Sequence, residues 1–381
     1  MDQIPPLHPP ERLLCGPGPA NVEPAVIEAM NRPMLGHLDP VLHTGLLEVV
    51  SMLRETWRMP DGLVLPLHCT GTAGMETGIA NLLEPGDTAI VAQCGYFGRR
   101  VAEIARRHGA NVVEVDADWG EAVPNERLVD ALDRHPQARM LAVVHAETST
   151  GVEHPLAELG EAMPGRDTLL MADCVTSLGG VPLDTGAWGV DFAYSCTQKC
   201  LGAPPGMSPL AVSERAMERI RTRGTPVPFS FDLQLLERYW IERPAVYHHT
   251  APILAIYALH EALRLVLAEG LEARWARHAE TAAHLRRELE TRGLEVLAVP
   301  DHRLAPLTAV RVPEGVDGKI VQGRLLSEHG IEVGGGLGPH APAMWRIGLM
   351  GRNATVETAD RVLGALDEVL ANERAPLATP A

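Results

Sequence analysis

Seven short apolar runs, most of them separated by amphipathic segments, constrain the fold of this 381-residue chain more than any other feature. The amphipathic segments, such as 99–108 and 125–133, have the spacing of helices, whereas the apolar runs have the length of strands. Runs that are apolar throughout are typical of parallel strands buried on both faces. The pattern therefore predicts an α/β fold, in which helices cover a mostly parallel seven-stranded sheet. The predicted strands are 63–67, 88–92, 112–115, 140–144, 168–172, 191–194 and 209–212.

A second pattern follows this region. A long helical stretch, 253–290, leads into short segments in a looser order, and we predict a smaller C-terminal α+β domain there. The predicted division is an extended N-terminal segment 1–20, a large domain 21–262 and a small domain 263–381. Within the small domain the predicted strands are 294–299, 308–312, 331–333 and 345–349, and the predicted helices are 319–329 and 356–372.

Composition restricts the class of partner. A formal net charge of −16 argues against a nucleic-acid or anionic-membrane surface, because both need clustered Lys and Arg. No apolar run reaches the roughly 18 residues of a membrane span, and residues 1–6 lack the basic flank and apolar core of a signal peptide. We therefore expect no nucleic-acid partner, no membrane contact and a cytoplasmic location.

The six cysteines are expected to be buried free thiols. They lie mostly within or beside apolar runs and include no CxxC pair. Cys196 and Cys200 flank Lys199, a spacing that could indicate a metal or redox site, but no further cysteine or histidine stands at ligand spacing. We predict no metal site.

Two ionisable residues follow predicted strands. Asp173 ends one apolar run, and Lys199 follows another and precedes a rigid Gly/Pro turn, 202–206. Ligands of such sheets bind beyond the carboxyl ends of the strands, so the acid and the amine are expected to face one pocket. Pyridoxal phosphate (PLP) chemistry requires this pair, a lysine for the Schiff base and a carboxylate that keeps the pyridine nitrogen protonated. Considered singly, Asp173 could be a capping or turn residue and Lys199 a solvated surface lysine.

The segment Thr70-Gly71-Thr72 joins a predicted strand to a predicted helix through small residues. Free backbone N–H groups at a helix N-terminus can receive a phosphate, and we predict that role here. A tight turn with a threonine cap is the competing interpretation, which the pairing with Asp173 and Lys199 makes less favourable.

Motifs spread over nearly the whole chain resemble those of a known enzyme family. They resemble those of the class V aminotransferases, a group of fold-type I PLP enzymes, and within it the alanine–glyoxylate and serine–pyruvate aminotransferases. The resemblance implies a fold-type I transaminase. The motifs that carry it are Gly16-Pro17-Gly18-Pro19, Gly36-His37-Leu38-Asp39-Pro40, Leu83-Glu84-Pro85-Gly86-Asp87, Gly95-Tyr96-Phe97-Gly98, His145-Ala146-Glu147-Thr148-Ser149-Thr150-Gly151, Asp173 with Ser177-Leu178-Gly179-Gly180, Gln198-Lys199, Tyr247-His248-His249-Thr250 and Trp345-Arg346-Ile347-Gly348.

The resemblance implies a role for each cofactor contact. Lys199 would be the Schiff-base lysine and the acid/base of the reaction, and Asp173 the partner of the pyridinium nitrogen. Phe97 would stack on the cofactor ring where several relatives have Trp, unless it is simply a core aromatic. The residues that would hold the phosphate are Thr70, Gly71, Thr72 and Gln198 from one subunit, and Tyr247 and Thr250 from its neighbour. A homodimer with its active site at the subunit interface is therefore implied.

Three residues are predicted to bind substrate. Arg346 lies in a short apolar strand, where a buried guanidinium needs a partner, and a substrate carboxylate supplies one in bidentate geometry. A structural ion pair would also explain Arg346. Ser149 matches a serine close to cofactor and substrate, although it could be a turn serine, and His37 is also assigned to the substrate site.

The implied reaction moves an amino group from a small amino acid, alanine or serine, to a small 2-oxo acid, glyoxylate or pyruvate. Small substrates are favoured because one arginine matches a substrate-carboxylate position and no second one is evident. The closest competing reaction is (S)-ureidoglycine–glyoxylate transamination, although that branch favours Gln where this chain has His37 and Asn where it has Tyr247. Less favoured are pyridoxamine–pyruvate transamination, a class V lyase or desulfurase, and a catalytically silent relative of the fold.

Overall fold

Seven strands form the central sheet of this computed structural model, which describes residues 4–244 and 246–373. The predicted α/β class and the mostly parallel seven-stranded sheet are confirmed. One strand, Ser208–Val212, runs antiparallel to both of its neighbours. Across the sheet the order is Leu63–Leu67, Ser208–Val212, Phe192–Tyr194, Leu169–Asp173, Met140–Val144, Thr88–Gln93 and Asn111–Asp116.

The burial of the strands follows their place in the sheet. Every residue of Leu169–Asp173 and of Met140–Val144 is buried, as expected for parallel strands covered on both faces. The edge strand Asn111–Asp116 exposes several of its residues. The helices of the described chain are Pro24–Ala29, Pro40–Trp57, Gly71–Leu82, Tyr96–Arg107, Asn125–Arg134, Leu156–Glu161, Glu214–Thr222, Leu233–Trp240, Ile253–Glu269, Leu271–Thr291, Gly318–His329 and Val356–Glu373.

A second, smaller hydrophobic core lies in the C-terminal part of the chain. Its strands Leu307–Arg311, Met344–Gly348 and Gly334–Gly335 form an antiparallel sheet. Helices Leu271–Thr291, Gly318–His329 and Val356–Glu373 pack side chains into this core. The predicted long helical stretch is therefore two helices, which Gly270 separates with a positive φ of 86°.

The predicted strand 294–299 is wrong. Only an isolated bridge, Val296 to Val310, forms there. Beyond Leu297 the chain leaves the small sheet, because the next backbone bond runs from Val299 N to the carbonyl oxygen of Gly120 at 3.0 Å. This segment therefore packs against the part of the chain that holds the central sheet.

The N-terminal segment belongs to the small core. Strand Leu13–Leu14 pairs in parallel with strand Ile331–Glu332, and Cys15 is buried among the side chains of that core. The predicted boundary at 262 falls inside helix Ile253–Glu269. The division into 1–20, 21–262 and 263–381 stays a prediction, and residues 374–381 lie outside the described residues.

None of the helices in 4–244 and 246–373 is long and apolar enough to cross a bilayer.

Candidate active site

A cavity of about 170 Å³ lies beyond the carboxyl ends of the central strands. Its wall brings together most residues that the sequence assigned to the cofactor, as expected where ligands bind in α/β sheets. A larger groove of about 840 Å³ lies between residues 11–21 and residues 329–361, and neither Asp173 nor Lys199 lines it. The predicted site residues that line the smaller cavity are Thr70, Gly71, Thr72, Phe97, Asp173, Gln198 and Lys199.

Asp173 is the last residue of its strand and is 3% exposed. Its carboxyl accepts hydrogen bonds from the Tyr194 hydroxyl and, at 2.9 Å, from the Val175 backbone N–H. Burial raises the pKa of Asp173 to about 7, although these two hydrogen bonds oppose the shift. Half-protonated near neutrality, the group can share a proton with a ring nitrogen.

Lys199 enters the same cavity from the loop that follows strand Phe192–Tyr194. Desolvation lowers the pKa of its amine, which favours the neutral, nucleophilic form. Its Nζ donates to the Pro17 carbonyl oxygen. Gly18, next to this carbonyl, has a φ of 106°, in the left-handed region that favours glycine, and a Cβ there would lie 2.4 Å from Nζ. Glycine at position 18 thus lets the N-terminal segment approach the amine closely.

The turn Thr70-Gly71-Thr72 is both a threonine-capped helix start and part of the cavity wall. Thr70 is the N-cap of helix Gly71–Leu82, and its hydroxyl accepts from Ala73 N at 3.1 Å, so the capping interpretation is geometrically correct. The same turn also lines the cavity with the N-terminus of that helix. The two interpretations are therefore compatible.

Phe97 lines the cavity and is partly exposed, so the description of a core aromatic does not fit it. Arg100, which sequence reasoning missed, lies next to it. The Arg100 guanidinium is 5.1 Å from the Phe97 ring centroid and donates to Thr72 Oγ1 at 3.2 Å. A cation thus connects the aromatic ring with the turn 70–72.

Ser149 is fully buried and does not line the cavity. Its hydroxyl accepts from Tyr96 N at 2.8 Å and donates to Glu147 Oε1 at 2.6 Å. The direct cofactor and substrate contacts assigned to Ser149 stay predictions. In the structure its side chain lies behind the segment that carries Phe97.

Arg346 lies in strand Met344–Gly348 of the small sheet and is 7% exposed. Its Nε donates to the Gly335 carbonyl at 2.6 Å, and its Nη1 to the Thr148 carbonyl at 3.3 Å. Within 4–244 and 246–373 no carboxylate oxygen lies within the 4.0 Å of an ion pair with it, so a structural ion pair does not explain Arg346 there. Burial lowers the pKa of Arg346 to about 10, which reflects a cation without full compensation.

Tyr247, Thr250 and His37 do not line this cavity. Tyr247 is 60% exposed and Thr250 is also exposed. The His37 and Tyr247 rings lie together on the surface, with centroids 5.5 Å apart. Contacts of these residues with a neighbouring subunit stay a prediction.

Three further contributors escaped sequence reasoning: Tyr194, Pro17 and Glu147. Tyr194 follows the pattern of a buried strand residue, and only the alignment of adjacent strands brings its hydroxyl to Asp173. Pro17 acts through a backbone carbonyl, for which side-chain chemistry gives no signal. Glu147 lies within 145–151, one of the motifs that carry the resemblance, and an acid among small residues just after an apolar run was the available signal.

The chain matches a known protein family and named relatives over most of its length. A sequence model of the family described as "Aminotransferase class-V" matches residues 60–359. Alanine–glyoxylate aminotransferase of Oryctolagus cuniculus is 40% identical over 370 residues, which cover 96% of this chain and 94% of that protein.

Solved structures extend the likeness to three dimensions. The crystal structure of alanine–glyoxylate aminotransferase from Nostoc sp. has a TM-score of 0.94 and 49% identity, with 97% of each chain covered. That of ureidoglycine–glyoxylate aminotransferase from Bacillus subtilis has the same TM-score of 0.94 and 37% identity, covering 98% of this chain and 96% of that one.

The raised pKa of Asp173 predicts a specific pH dependence of stability. Between about pH 4 and pH 7 the folded protein without cofactor keeps a proton on Asp173 that the unfolded chain has lost. Its free energy of unfolding should therefore fall as pH rises through this window, by up to about 1.4 kcal/mol per pH unit from this group. The Asp173→Asn variant cannot titrate and should lack this contribution. Urea unfolding of both apoproteins from pH 4 to pH 8 measures the difference, and parallel profiles would contradict the raised pKa.

Proposed function

We propose a reaction for this chain from the premise that it belongs to the class-V aminotransferase family. It transfers an amino group from a small amino acid, alanine or serine, to a small 2-oxo acid, glyoxylate or pyruvate, with PLP as cofactor. The observation that carries the proposal is a partly buried lysine that shares one cavity with a buried acid, next to a buried arginine whose charge acts on that lysine. Relatives and solved structures named alanine–glyoxylate aminotransferase support the choice of substrates.

The chemistry of the cavity wall fits PLP. Gln198 Oε1 and Thr176 Oγ1 are buried without a hydrogen-bond partner among the described residues, which leaves polar atoms for a ligand to satisfy. The turn 70–72 offers helix N-terminal amides to a phosphate, and Phe97 offers its face to an aromatic ring. When bound, PLP supplies the electron sink that stabilises negative charge at the substrate Cα.

Lys199 and Asp173 would act on opposite sides of that ring. Asp173 would bind the pyridine nitrogen, while Tyr194 and Val175 keep its carboxyl oriented through their hydrogen bonds. The amine of Lys199 would hold the cofactor covalently until the substrate amine displaces it. The released amine would then move the proton from the substrate Cα to the cofactor C4′. Its lowered pKa supports both tasks, because a neutral amine is the nucleophile and the base.

Arg346 would bind the substrate carboxylate. Two main-chain carbonyls fix its guanidinium, and no side-chain carboxylate of the described residues pairs with it. An incoming carboxylate would supply the missing charge in a bidentate geometry. One such arginine suffices for the single carboxylate of alanine, serine, glyoxylate or pyruvate.

Transamination of (S)-ureidoglycine with glyoxylate is the second candidate. The solved Bacillus subtilis protein, 37% identical, is named for that reaction and supports it. His37 and Tyr247 depart from the residues which that branch favours at positions assigned to the ureido group. We therefore rank this reaction below the alanine or serine reaction.

A desulfurase would need a reactive, exposed thiol. All six cysteines are free, and all except Cys69 are buried. Burial raises the pKa of the partly buried Cys69 to about 12, so its thiol stays protonated at neutral pH. This chemistry disfavours a desulfurase, whereas a class V lyase remains an outcome that a product assay would detect.

We further propose a homodimer whose active sites lie at the subunit interface. Phe229 stacks on His248 with ring centroids 4.5 Å apart, next to the segment that holds Tyr247 and Thr250. Exposed apolar side chains, which are typical of protein interfaces, occur in segments 27–47 and 229–247, and the ring contact between His37 and Tyr247 joins these two segments. They are Ile27, Met34, Leu38, Val41, Leu47, Phe229, Val246 and Tyr247. The cytoplasmic location stays a prediction from the sequence.

The substrate proposal is tested by half-reactions of the PLP-loaded enzyme. Alanine and serine should convert the cofactor to its amino form faster than glutamate, aspartate or (S)-ureidoglycine, and glyoxylate or pyruvate should reverse the change. Stopped-flow absorbance of the cofactor with product analysis by mass spectrometry measures each step. A preference for dicarboxylic donors or for (S)-ureidoglycine would contradict the proposal, and elimination products would indicate a lyase.

Replacing Arg346 tests the carboxylate site. Arg346→Ala should raise the apparent KM for both the amino donor and the oxo-acid acceptor roughly 10- to 100-fold, because a charge-assisted hydrogen bond contributes about 1.5–3 kcal/mol. Arg346→Lys keeps the positive charge but lacks the planar guanidinium, so its apparent KM should lie between those of wild type and Arg346→Ala. A matched control is Arg286→Lys at another largely enclosed arginine, which donates to the Leu304 carbonyl. Equal KM values for wild type and Arg346→Ala would remove Arg346 from the site.

Mixed dimers test the shared active site. Lys199→Ala and Tyr247→Ala should each be nearly inactive as homodimers. When the two variants are unfolded together and refolded, about a quarter of all sites should combine an intact Lys199 from one subunit with an intact Tyr247 from the other. Activity should therefore recover to about a quarter of the wild-type value. A mixture of the separately folded variants is the control and should stay nearly inactive. No recovery in verified mixed dimers would place Tyr247 in the same subunit's site or outside any site.

A further inference from the structure

We propose that Glu147 is a positioning residue for the cofactor. From a distant part of the same chain, its side chain caps the N-terminus of helix Tyr96–Arg107, which carries Phe97. The inference rests on the proposed function, since the ring that Phe97 would face belongs to PLP. Glu147 lies in strand Ala146–Glu147, whose other residue lines the cavity. Its own side chain is fully buried behind the Phe97 segment.

Four donors meet at the two oxygens of this carboxyl. Oε2 accepts from the backbone N–H groups of Phe97, at 2.9 Å, and Gly98, at 3.3 Å. Oε1 accepts from Ser149 N, at 3.0 Å, and from the Ser149 hydroxyl, at 2.6 Å. The Ser149 hydroxyl in turn accepts from Tyr96 N at 2.8 Å. Glu147 and Ser149 thus satisfy the first three N–H groups of the helix.

The helix cannot supply this cap itself. Its N-cap residue is Gly95, which has no side chain to accept a hydrogen bond. A Cβ at Gly95 would lie 2.4 Å from Ser149 Oγ and 2.5 Å from Glu147 Cδ, so the space of a local cap is taken by the two outside residues. Glycine at this position and the buried acid are therefore two parts of one arrangement.

The capped turn is also the part of the helix that touches the cofactor site. Phe97 is its second residue, and Arg100, one turn on, contacts both the Phe97 ring and Thr72 Oγ1. A shift of this turn would move the stacking face and disturb the turn 70–72 together. Thr148, the neighbour of Glu147, accepts from Arg346, so the same loop reaches the substrate arginine.

Burial makes the arrangement specific. Desolvation raises the pKa of Glu147, and the hydrogen bonds from Ser149, Phe97 and Gly98 act in the opposite direction. A buried carboxyl is costly unless its oxygens are satisfied, so the side chain is fixed only while the helix turn stays in place. The charge of Glu147 also raises the pKa values of Asp173 and Arg346. The test must therefore separate the effect of this charge from the effect of the side-chain length that reaches the helix.

Three variants make that separation. Glu147→Gln keeps the length and one carbonyl oxygen, which can still accept from Phe97 and Gly98, but its NH2 group replaces the oxygen that accepts from Ser149 N. Glu147→Asp keeps the acid group but is one methylene too short to reach the helix. Glu147→Met keeps the volume and has no oxygen. If Glu147 acts through the cap, Gln should bind PLP more tightly than Asp and Met, and Asp and Met should bind it about tenfold or more weakly than wild type.

A double-mutant cycle tests whether the effect passes through Phe97. The dissociation constant of PLP is measured by titrating each apoprotein and following absorbance and circular dichroism of the bound cofactor. Phe97→Leu removes the stacking ring and should weaken PLP binding on its own. In that background the substitutions Glu147→Asp and Glu147→Met should weaken PLP binding by a clearly smaller factor than in the wild-type background, because the ring contact that they displace is already absent.

The outcomes separate the two proposals. If the wild-type apoprotein does not bind PLP, the proposed function fails. If wild type binds PLP but Glu147→Asp and Glu147→Met bind equally well, or lose the same factor with and without Phe97, the positioning role is overturned. Weak binding by Gln together with normal binding by Asp would also overturn it, since charge rather than reach would then matter. Thermal unfolding and far-UV circular dichroism show whether each variant is folded. If Glu147→Met is not folded, the comparison of PLP binding between Glu147→Asp and Glu147→Gln tests the same point.

Discussion

Burial of ionisable groups in one small cavity is the constraint on which the rest of this structure depends. Asp173 and Lys199 lie near strand ends where water is largely excluded, so desolvation pushes the acid towards its protonated form and the amine towards its neutral form. Both shifts oppose the charges that these groups carry in water. The sheet holds them in this unfavourable environment because its strands are anchored by a large apolar core. Stability of the scaffold thereby maintains two side chains in reactive states.

The fold was largely predictable from the sequence because strand periodicity is a local property. All seven central strands were located to within about one residue, and the positions of Asp173 and Lys199 near strand ends follow from the same pattern. The failure at 294–299 has a non-local cause. The segment has the composition of a strand, but a backbone bond from Val299 to Gly120 diverts it towards the large domain. Competition between two distant partners leaves no signal in a short window of sequence.

The site was predictable in its side-chain chemistry and less so in its supports. Residues with rare chemistry in an apolar context, such as Lys199 and Arg346, are conspicuous in a sequence. Backbone groups are not, which is why the carbonyl of Pro17 and the helix amides that Glu147 caps emerge only from the three-dimensional structure. Ser149 shows the intermediate case, since its place in the motif was evident but the direction of its hydroxyl was not.

The N-terminal strand has a consequence for the order in which the chain is made. Leu13 and Leu14 leave the ribosome long before their pairing partner, Ile331–Glu332, is synthesised. The wall beside Lys199 at Pro17 and Gly18 therefore gains its anchor on Ile331–Glu332 only after that partner has emerged, although the central sheet has long been available to fold. In a nascent chain that stalls before residue 331, this wall would be held only by contacts such as the bond from Ala20 N to the Gln198 carbonyl.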